Sequence, residues 1–138
     1  MVFTRQFTFD SEGDFYPLNI TESVRQALKE SGVQEGSVLI YYRHTTGAIL
    51  VIEHEVGILV DLQDVLDGLI PLARDYKHHL RGYDSNGAAH VRTAMLNVSV
   101  TIPVVGAELM IGSYQEIVML DMDRHAHARE VVVQVTGE

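Results

Sequence analysis

The sequence contains no cysteine, and this absence removes several kinds of chemistry at once. Disulfide bonds, thiolate nucleophiles and thiolate-ligated metals are all excluded, so histidine becomes the side chain to examine. Long apolar runs are absent too: the longest covers residues 48–52, whereas roughly 20 residues are needed to cross a bilayer. Because residues 1–10 also lack the apolar core of a signal peptide, we expect a cytoplasmic protein.

Basic side chains are few. The chain has 10 lysines and arginines against 19 acidic residues, which gives a formal net charge of −9. Such a surface repels phosphate backbones and anionic lipid headgroups, so we expect a small-molecule partner rather than nucleic acid or a membrane. The three prolines are scattered and no linker or repeat interrupts the sequence. With 138 residues, against a prior of about 150 per domain, the sequence predicts one domain spanning residues 1–138.

The spacing of apolar residues predicts an α+β fold. Helical periodicity predicts helices over residues 21–31, 56–69 and 88–96. Branched and aromatic residues predict strands over residues 2–9, 37–43, 48–53, 98–104, 108–111, 117–120 and 131–136. The late strands follow one another through connections too short for crossover helices, which favours a largely antiparallel sheet. Residues 74–87 are polar and aperiodic, and a loop of this length favours a functional role.

Histidine positions are the most informative chemical signal. A catalytic zinc site takes three protein ligands and leaves a place for water or substrate, and His44, His78 and His90 could supply such a set. His79 follows His78 directly, so on an extended backbone its ring would point to the opposite face. The separations, 78 − 44 = 34 and 90 − 78 = 12 residues, match no short metal motif. Each ring could instead cap a turn or bind a carbonyl.

A second group of possible ligands lies near the C-terminus. The side chains that alternate there would share one face of a straight strand and could form a rival metal site: Asp121, Asp123, His125 and His127. The alternative interpretation is a polar hairpin tip, because the strand before residue 121 has to turn into the strand after residue 129. We favour the hairpin tip.

Four stretches of the sequence carry a resemblance to a known family, in the same order and over nearly the whole chain. They are His44-Thr45-Thr46 with Glu53; Tyr76, His78, Asp84, Asn86 and His90; residues 99–103 leading through Gly106 to residues 112–115; and residues 129–138. In these stretches the chain resembles the YjbQ family, whose members are described as secondary thiamine-phosphate synthases. Ser113 and Tyr114 replace the middle pair of the family's Gly-Thr-Trp-Gln motif, and residues 121–128 also depart from its pattern.

The resemblance implies an α/β sandwich with a largely antiparallel sheet and two or three helices, which assembles as a homotrimer. It implies a metal near the subunit boundary, held by His44, His78 and His90. Three imidazoles suit Zn²⁺ best, with Co²⁺, Ni²⁺ or Mg²⁺ as alternatives.

The other candidate site residues divide into two roles. Glu53 and Asp84 are the predicted catalytic carboxylates; Glu53 could orient an imidazole or accept a proton from metal-bound water. The predicted substrate-binding residues are Thr45, Thr46, Asn86, Arg92 and Gln115. We expect Arg92 in the first turn of a helix, where it could bind phosphate together with the helix amides. Each of these residues also has a plain structural interpretation, as a solvated side chain or part of a turn.

Three functions follow from this site. The family's reaction joins an aminopyrimidine-methyl diphosphate to a thiazole phosphate and releases diphosphate. We expect it to be a secondary activity here, because diphosphate sites usually employ Mg²⁺ with oxygen ligands. The first alternative is a zinc-type hydrolase of a small phosphorylated or acyl substrate, in which Glu53 takes the proton of metal-bound water. The second is a non-catalytic trimer that binds a metal or metabolite.

Overall fold

The computed structural model describes residues 1–82 and 85–138, apart from the side chain of residue 81. Within these residues helices and strands alternate in the first half and strands dominate the second. The elements are β1 (Val2–Ser11), β2 (Tyr16–Asn19), α1 (Thr21–Ser31), β3 (Gly36–Tyr42), β4 (Gly47–Ile52), α2 (Val56–Leu69), a 3₁₀ helix (Lys77–Arg81), α3 (Gly87–Met95), β5 (Ser99–Val105), β6 (Glu108–Leu109), β7 (Glu116–Asp121) and β8 (His127–Gly137).

The strands form two sheets, whereas a single sheet was expected. The larger sheet has the order β1-β8-β3-β5-β6, and the smaller has the order β2-β7-β4. Every strand pair in the described residues is antiparallel, which confirms the predicted pairing. Strand β2 is absent from the sequence prediction because Pro17 and Asn19 are poor strand formers, and it joins the sheet only as an edge strand beside β7.

One hydrophobic core lies between the two sheets and includes α1. Val131, Val133 and Val135 alternate along β8 and face it, together with Ile49 of β4 and Met119 of β7. Apolar residues at positions 20, 24, 27 and 28 give α1 a buried stripe, which is the helical spacing that the sequence analysis used. The helix ends at Ser31 and is capped by Gly32, whose left-handed φ of 74° favours glycine, so the prediction of residues 21–31 is confirmed.

A second core lies on the other face of the smaller sheet. Leu66 of α2 and Ala89 of α3 pack there against Ala48 and Leu120. Helix α2 covers this face with only part of its surface, because Leu66 is its buried residue and several of its apolar side chains are exposed: Val56, Ile58, Val60, Val65 and Leu69. None of the described helices is both long enough and apolar enough to span a membrane.

The connection after β7 is not the hairpin tip that the sequence suggested. Strand β7 pairs with β2 and β4, whereas β8 pairs with β1 and β3, so residues 122–126 carry the chain from one sheet to the other. The connection between β3 and β4 changes sheets at the same end of the molecule. Because both connections pass between the sheets at this end, polar side chains from distant parts of the sequence come together there.

Candidate active site

A cleft of about 380 Å³ opens where the chain changes sheets, and we call it the histidine cleft. The connection between β3 and β4 provides one wall, with Arg43, His44, Thr45 and Thr46. The start of α3, the turn after β7 and the start of β8 provide the rest, with Asn86, His90, Asp123 and Arg129. Two of the three predicted metal ligands, His44 and His90, therefore line one cleft, together with three of the five predicted substrate-binding residues.

A buried ion pair between Asp121 and Arg129 lies at this end of the molecule. Asp121 is fully buried and Arg129 is 5% exposed. The guanidinium donates twice, from Nε to Oδ2 over 3.2 Å and from Nη2 to Oδ1 over 3.1 Å. The hydroxyl of Ser11 also donates to the carboxylate. A bidentate contact with an added hydrogen bond is the geometry that compensates two charges for their loss of hydration.

Asp123 extends this network into the histidine cleft. Its Oδ2 lies 3.3 Å from Nη2 of Arg129, and the same Nη2 donates to the hydroxyl of Thr46 over 3.1 Å. Burial alone would raise the pKa of Asp123. Hydrogen bonds from the amide of Arg124 and the side chains of Asn86 and Thr46, together with the charge of Arg129, outweigh burial and hold that pKa below its usual range. Asp123 is therefore an anion at neutral pH.

The charge of Asp123 determines the orientation of the Asn86 amide and, through it, which ring nitrogen of His78 carries the proton. Nδ2 of Asn86 donates to Oδ1 of Asp123 over 3.2 Å, because a carboxylate only accepts. The amide oxygen of Asn86 consequently faces Nε2 of His78, at 3.2 Å, so that this ring nitrogen carries the proton. The rings of His78 and His90 lie next to each other, with 4.5 Å between their centroids. Asn86 thus positions one histidine of a close pair.

His44 has a different environment on the opposite wall. Its Nε2 accepts a hydrogen bond from the backbone amide of Glu130 over 2.9 Å. Burial lowers the pKa of His44, and the nearby charge of Arg129 lowers it further. The imidazole is therefore neutral at pH 7, with its proton on Nδ1.

These environments bear on the predicted three-histidine metal site. His78 and His90 are close enough to share one ion, since each Zn–N bond is about 2.0–2.1 Å long. His44 does not complete the set in this arrangement, because its Nε2 already accepts the amide of Glu130. Among residues 1–82 and 85–138, no group of three or more histidine, aspartate or glutamate side chains is arranged to hold a metal. The described residues therefore do not fit a three-imidazole centre.

The predicted catalytic carboxylates do not meet the histidines. Strand β4 pairs Gly47 with Asp121 and Ile52 with Glu116, so Glu53 follows the end of β4 that is remote from the cleft. Five residues of strand separate the two ends by about 16 Å. Gln115, next to Glu116, lies at the same remote end; its Oε1 accepts the amide of Gly112 over 2.8 Å. Asp84, the other predicted catalytic residue, lies outside the described residues.

Arg92 is placed differently from its prediction. It lies in the last turn of α3, not the first, and it is 3% exposed. Its guanidinium donates to the carbonyl of Ile70 and, over 3.0 Å, to Asp67 of α2. These contacts join α3 to α2, and Arg92 does not line the histidine cleft. Helical periodicity could place Arg92 on α3 but not say which side of the helix faces α2.

The rival metal site is an ion-pair network instead. Arg129 occupies both carboxylates of the alternating series, Asp121 and Asp123. His127 lies 3.5 Å from Asp121, too far for a well-formed hydrogen bond, and His125 is exposed. Sequence reasoning missed Arg129 as a site residue. The signal was present, because an arginine continues the alternation two residues after His127 and is a natural counterion for the two acids.

Comparison with known proteins supports the same architecture. A family model described as "UPF0047 protein YjbQ-like" matches residues 5–138. A UPF0047 protein from Methanothermobacter thermautotrophicus is 29% identical over 99% of this chain and 94% of its own length. One from Archaeoglobus fulgidus is 34% identical over 83% of this chain and 87% of its own length.

A solved structure is similar over the whole chain. It is a crystal structure of a YbjQ-like protein of unknown function from Sulfolobus solfataricus P2, with a TM-score of 0.95 and 29% identity, covering 100% of this chain and 99% of that one. The similarity confirms the α+β fold with three helices in the described residues and antiparallel sheets. Together with the family match over residues 5–138, it establishes that the chain belongs to the YjbQ-like UPF0047 family.

Proposed function

We propose that the histidine cleft binds a small phosphorylated substrate and that the protein has thiamine-phosphate synthase activity. The supporting observation is the position of Arg43, an exposed residue that lines the cleft together with His44 and His90. Arg129 is committed to two buried contacts with Asp121 and Asp123. Arg43 instead contacts Glu130 over 3.3 Å at the surface, and such exposed pairs contribute little to stability. A phosphate can therefore replace Glu130.

In the proposed reaction, the ring nitrogen of the thiazole phosphate attacks the methylene carbon of the aminopyrimidine-methyl diphosphate. A C–N bond forms, the C–O bond to diphosphate breaks, and diphosphate leaves with the electron pair. Arg43 would neutralise the charge that grows on this leaving group. Holding both substrates in line within one cleft would supply the rest of the rate increase. Whether a divalent cation takes part is a separate prediction, and no step here depends on one.

A second candidate function is hydrolysis of a small phosphorylated or acyl substrate. The observation that favours it is the close pair formed by His78 and His90, because imidazole is the commonest general base at neutral pH. Within one protomer the base is then a histidine and not Glu53, since Glu53 lies at the remote end of β4. A non-catalytic binding protein remains the third possibility, and the same assay separates it from both enzymes.

The test is formation of thiamine phosphate by the purified protein from the two precursors, with release of diphosphate measured in parallel. We expect Arg43→Ala to lower the rate by about 10- to 100-fold, which corresponds to the loss of one charged hydrogen bond. Arg25→Ala is the matched control, because Arg25 is also an exposed arginine in a surface ion pair, but on α1. Equal rates in both variants, or no product with wild-type protein, would contradict the transferase. A panel of phosphoesters and esters then tests the hydrolase.

We also propose that the protein assembles as a homotrimer and acts in the cytoplasm on small molecules, without nucleic acid or membrane partners. Exposed apolar side chains on α2 support self-association, since Val56, Val65 and Leu69 are each more than half exposed. The net charge of −9 supports the absence of nucleic acid. Light scattering during size-exclusion chromatography tests the assembly: a Val65→Lys variant should shift a trimer towards monomer, whereas a monomeric wild type would refute it.

A further inference from the structure

A second cavity, of about 780 Å³, adjoins the histidine cleft at His90, which lines both, and we call it the Arg74 cavity. One wall comes from the 3₁₀ helix and the segment that leads into it, with Arg74, Tyr76, Lys77 and His78, and the other comes from the start of α3. A cavity of this size accommodates a small ligand. His78 lines this cavity but not the cleft, so the close pair formed by His78 and His90 borders on both openings.

The two cations of this cavity lack the counterions that other basic residues have. Arg74 and Lys77 are exposed, and neither forms an ion pair with a carboxylate among residues 1–82 and 85–138. Most other arginine side chains in this part of the chain do so: Arg5, Arg25, Arg43, Arg92 and Arg129. Asp75 also lines the cavity, but the lining still carries a net positive charge in a chain whose formal charge is −9. An anion is therefore the ligand that this cavity attracts.

Arg74 is held in an orientation that suits a phosphate group. Its guanidinium carbon lies over the ring of Tyr76, 5.3 Å from the ring centroid. Tyr76 is itself fixed, because its hydroxyl donates to the carbonyl of Pro71 and its side chain packs on Gly87, where a Cβ would lie 2.7 Å from the Cβ of Tyr76. A guanidinium stacked on a ring loses little freedom on binding and keeps its in-plane N–H groups available for two parallel hydrogen bonds.

We propose that the Arg74 cavity binds the phosphate group of a small phosphate monoester, through the guanidinium of Arg74 and the ammonium of Lys77. Two cations match the roughly 1.5–2 negative charges of such a group at pH 7, whereas a carboxylate carries only one. The inference goes beyond the proposed function, because it depends neither on Arg43 nor on the reaction. Since His90 lines both openings, the site holds a second phosphorylated group next to the histidines that border the cleft.

The experiment is a titration of the protein with inorganic phosphate at low ionic strength, followed by NMR. Amide signals of residues 74–77 report on the Arg74 cavity, and those of residues 43–46 report on the histidine cleft. We expect the signals of residues 74–77 to shift to saturation in wild-type protein. The double variant Arg74→Gln/Lys77→Gln should weaken this binding by about tenfold or more, because two charged contacts are lost. Acetate at equal ionic strength should bind about tenfold more weakly than phosphate.

The matched control removes the same charge from another surface. Arg25→Gln/Lys29→Gln neutralises two exposed cations on α1, and should leave phosphate affinity at residues 74–77 within about twofold of wild type. All four side chains are exposed, so we expect both double variants to fold. An equal loss of affinity in the control would show that only net charge matters and would overturn the proposal. Signals of residues 74–77 that do not respond to phosphate would overturn it too, as would acetate binding as tightly as phosphate.

Arg43→Ala separates this inference from the proposed function. It should leave phosphate affinity at residues 74–77 within about twofold of wild type, because Arg43 does not line the Arg74 cavity. If phosphate shifts only the signals of residues 43–46, the phosphate contact at Arg43 stands and the Arg74 cavity is wrong. If phosphate shifts only those of residues 74–77, in an Arg74-dependent manner, the Arg74 cavity stands and the phosphate contact at Arg43 is wrong.

Discussion

Two buried arginines on either side of the smaller sheet serve different purposes. Arg129 and Arg92 are 5% and 3% exposed, so burial does not distinguish them. Arg129 balances two carboxylates, and one of these, Asp121, has no access to water at all. Arg92 bonds to a backbone carbonyl and to Asp67, whose side chain is 48% exposed. The two arginines therefore differ in the groups that they contact and not in their exposed fraction.

The difference explains which of them belongs to the candidate active site. The contacts of Arg129 continue through Asp123 and Asn86 to the pair formed by His78 and His90. The contacts of Arg92 end on helix α2. Proximity to a histidine in the sequence suggested the opposite assignment, because Arg92 follows His90 by two residues whereas Arg129 is far along the chain.

The largest effect should come from removing the guanidinium of Arg129. Arg129→Met leaves Asp121 as a buried charge without its partner, and should lower the free energy of unfolding by about 3–5 kcal/mol. Arg92→Met should cost less, about 1–3 kcal/mol, because water can hydrate the carboxylate of Asp67 once the arginine has gone. Urea denaturation of both variants measures the difference.

A double variant keeps the comparison testable if Arg129→Met alone does not fold. Adding Asp121→Asn to Arg129→Met removes the unpaired charge and should recover at least half of the lost stability. The comparison fails if Arg92→Met is the more destabilised variant. It also fails if Asp121→Asn gives no recovery, because the cost would then lie in packing and not in the charge of Asp121.

The second prediction concerns metal at the end of the Arg129 network. We expect protein incubated with Zn²⁺ to bind the metal only weakly, and His78→Ala and His90→Ala each to lower the bound metal further, because these two rings are close enough to share an ion but no third side chain among residues 1–82 and 85–138 completes the set. His54→Ala should retain the metal, since His54 is exposed and follows β4 at the remote end. Elemental analysis decides; full retention by both cleft variants would contradict metal binding at this pair.

The sequence was sufficient for most of the fold, because its helices and inner strands carry strong local patterns. The predicted bounds of α1 and α2 agree with the structure, since amphipathic spacing and, for α1, a closing glycine are local signals. The division into two sheets could not be predicted, because it depends on which strands pair across long separations. β4 and β5, for example, are both apolar, yet they enter different sheets.

The candidate site was predictable only in part, for the same reason. The sequence drew attention to His44 and His90, and the structure places both in one cleft. It also grouped Glu53 with them, because nine residues is a short separation in the sequence. On an extended strand that separation becomes a long distance within one protomer, so the catalytic role of Glu53 stays a prediction. The alternation that continues to Arg129 indicated a counterion for the two acids, but its place in the cleft depends on the pairing of β8 with β1 and β3, which the local pattern does not report.

The third prediction concerns the pH dependence of stability, which tests whether His44 is a neutral group beside the charged Arg129. Burial and the charge of Arg129 lower the folded-state pKa of His44 below its ordinary value of 6.5. The unfolded chain therefore binds the proton first, and stability is lost as the pH falls below 6.5. Wild-type protein should lose stability more steeply than His44→Gln in this range, whereas His54→Gln should follow wild type. Parallel slopes for wild type and His44→Gln would show that His44 is solvated in the folded state.

The smallest effect is expected at the remote end of β4, and it tests whether one protomer contains the whole site. Glu53→Gln should change the free energy of unfolding by less than about 0.5 kcal/mol, because Glu53 is an exposed surface residue. Within a single protomer it should also change the rate of thiamine-phosphate formation less than about twofold, since roughly 16 Å of strand separates the two ends of β4. A tenfold loss of rate at unchanged stability would contradict a self-contained cleft. It would require the remote end of one protomer to lie against the histidines of another, a geometry available only to an assembly.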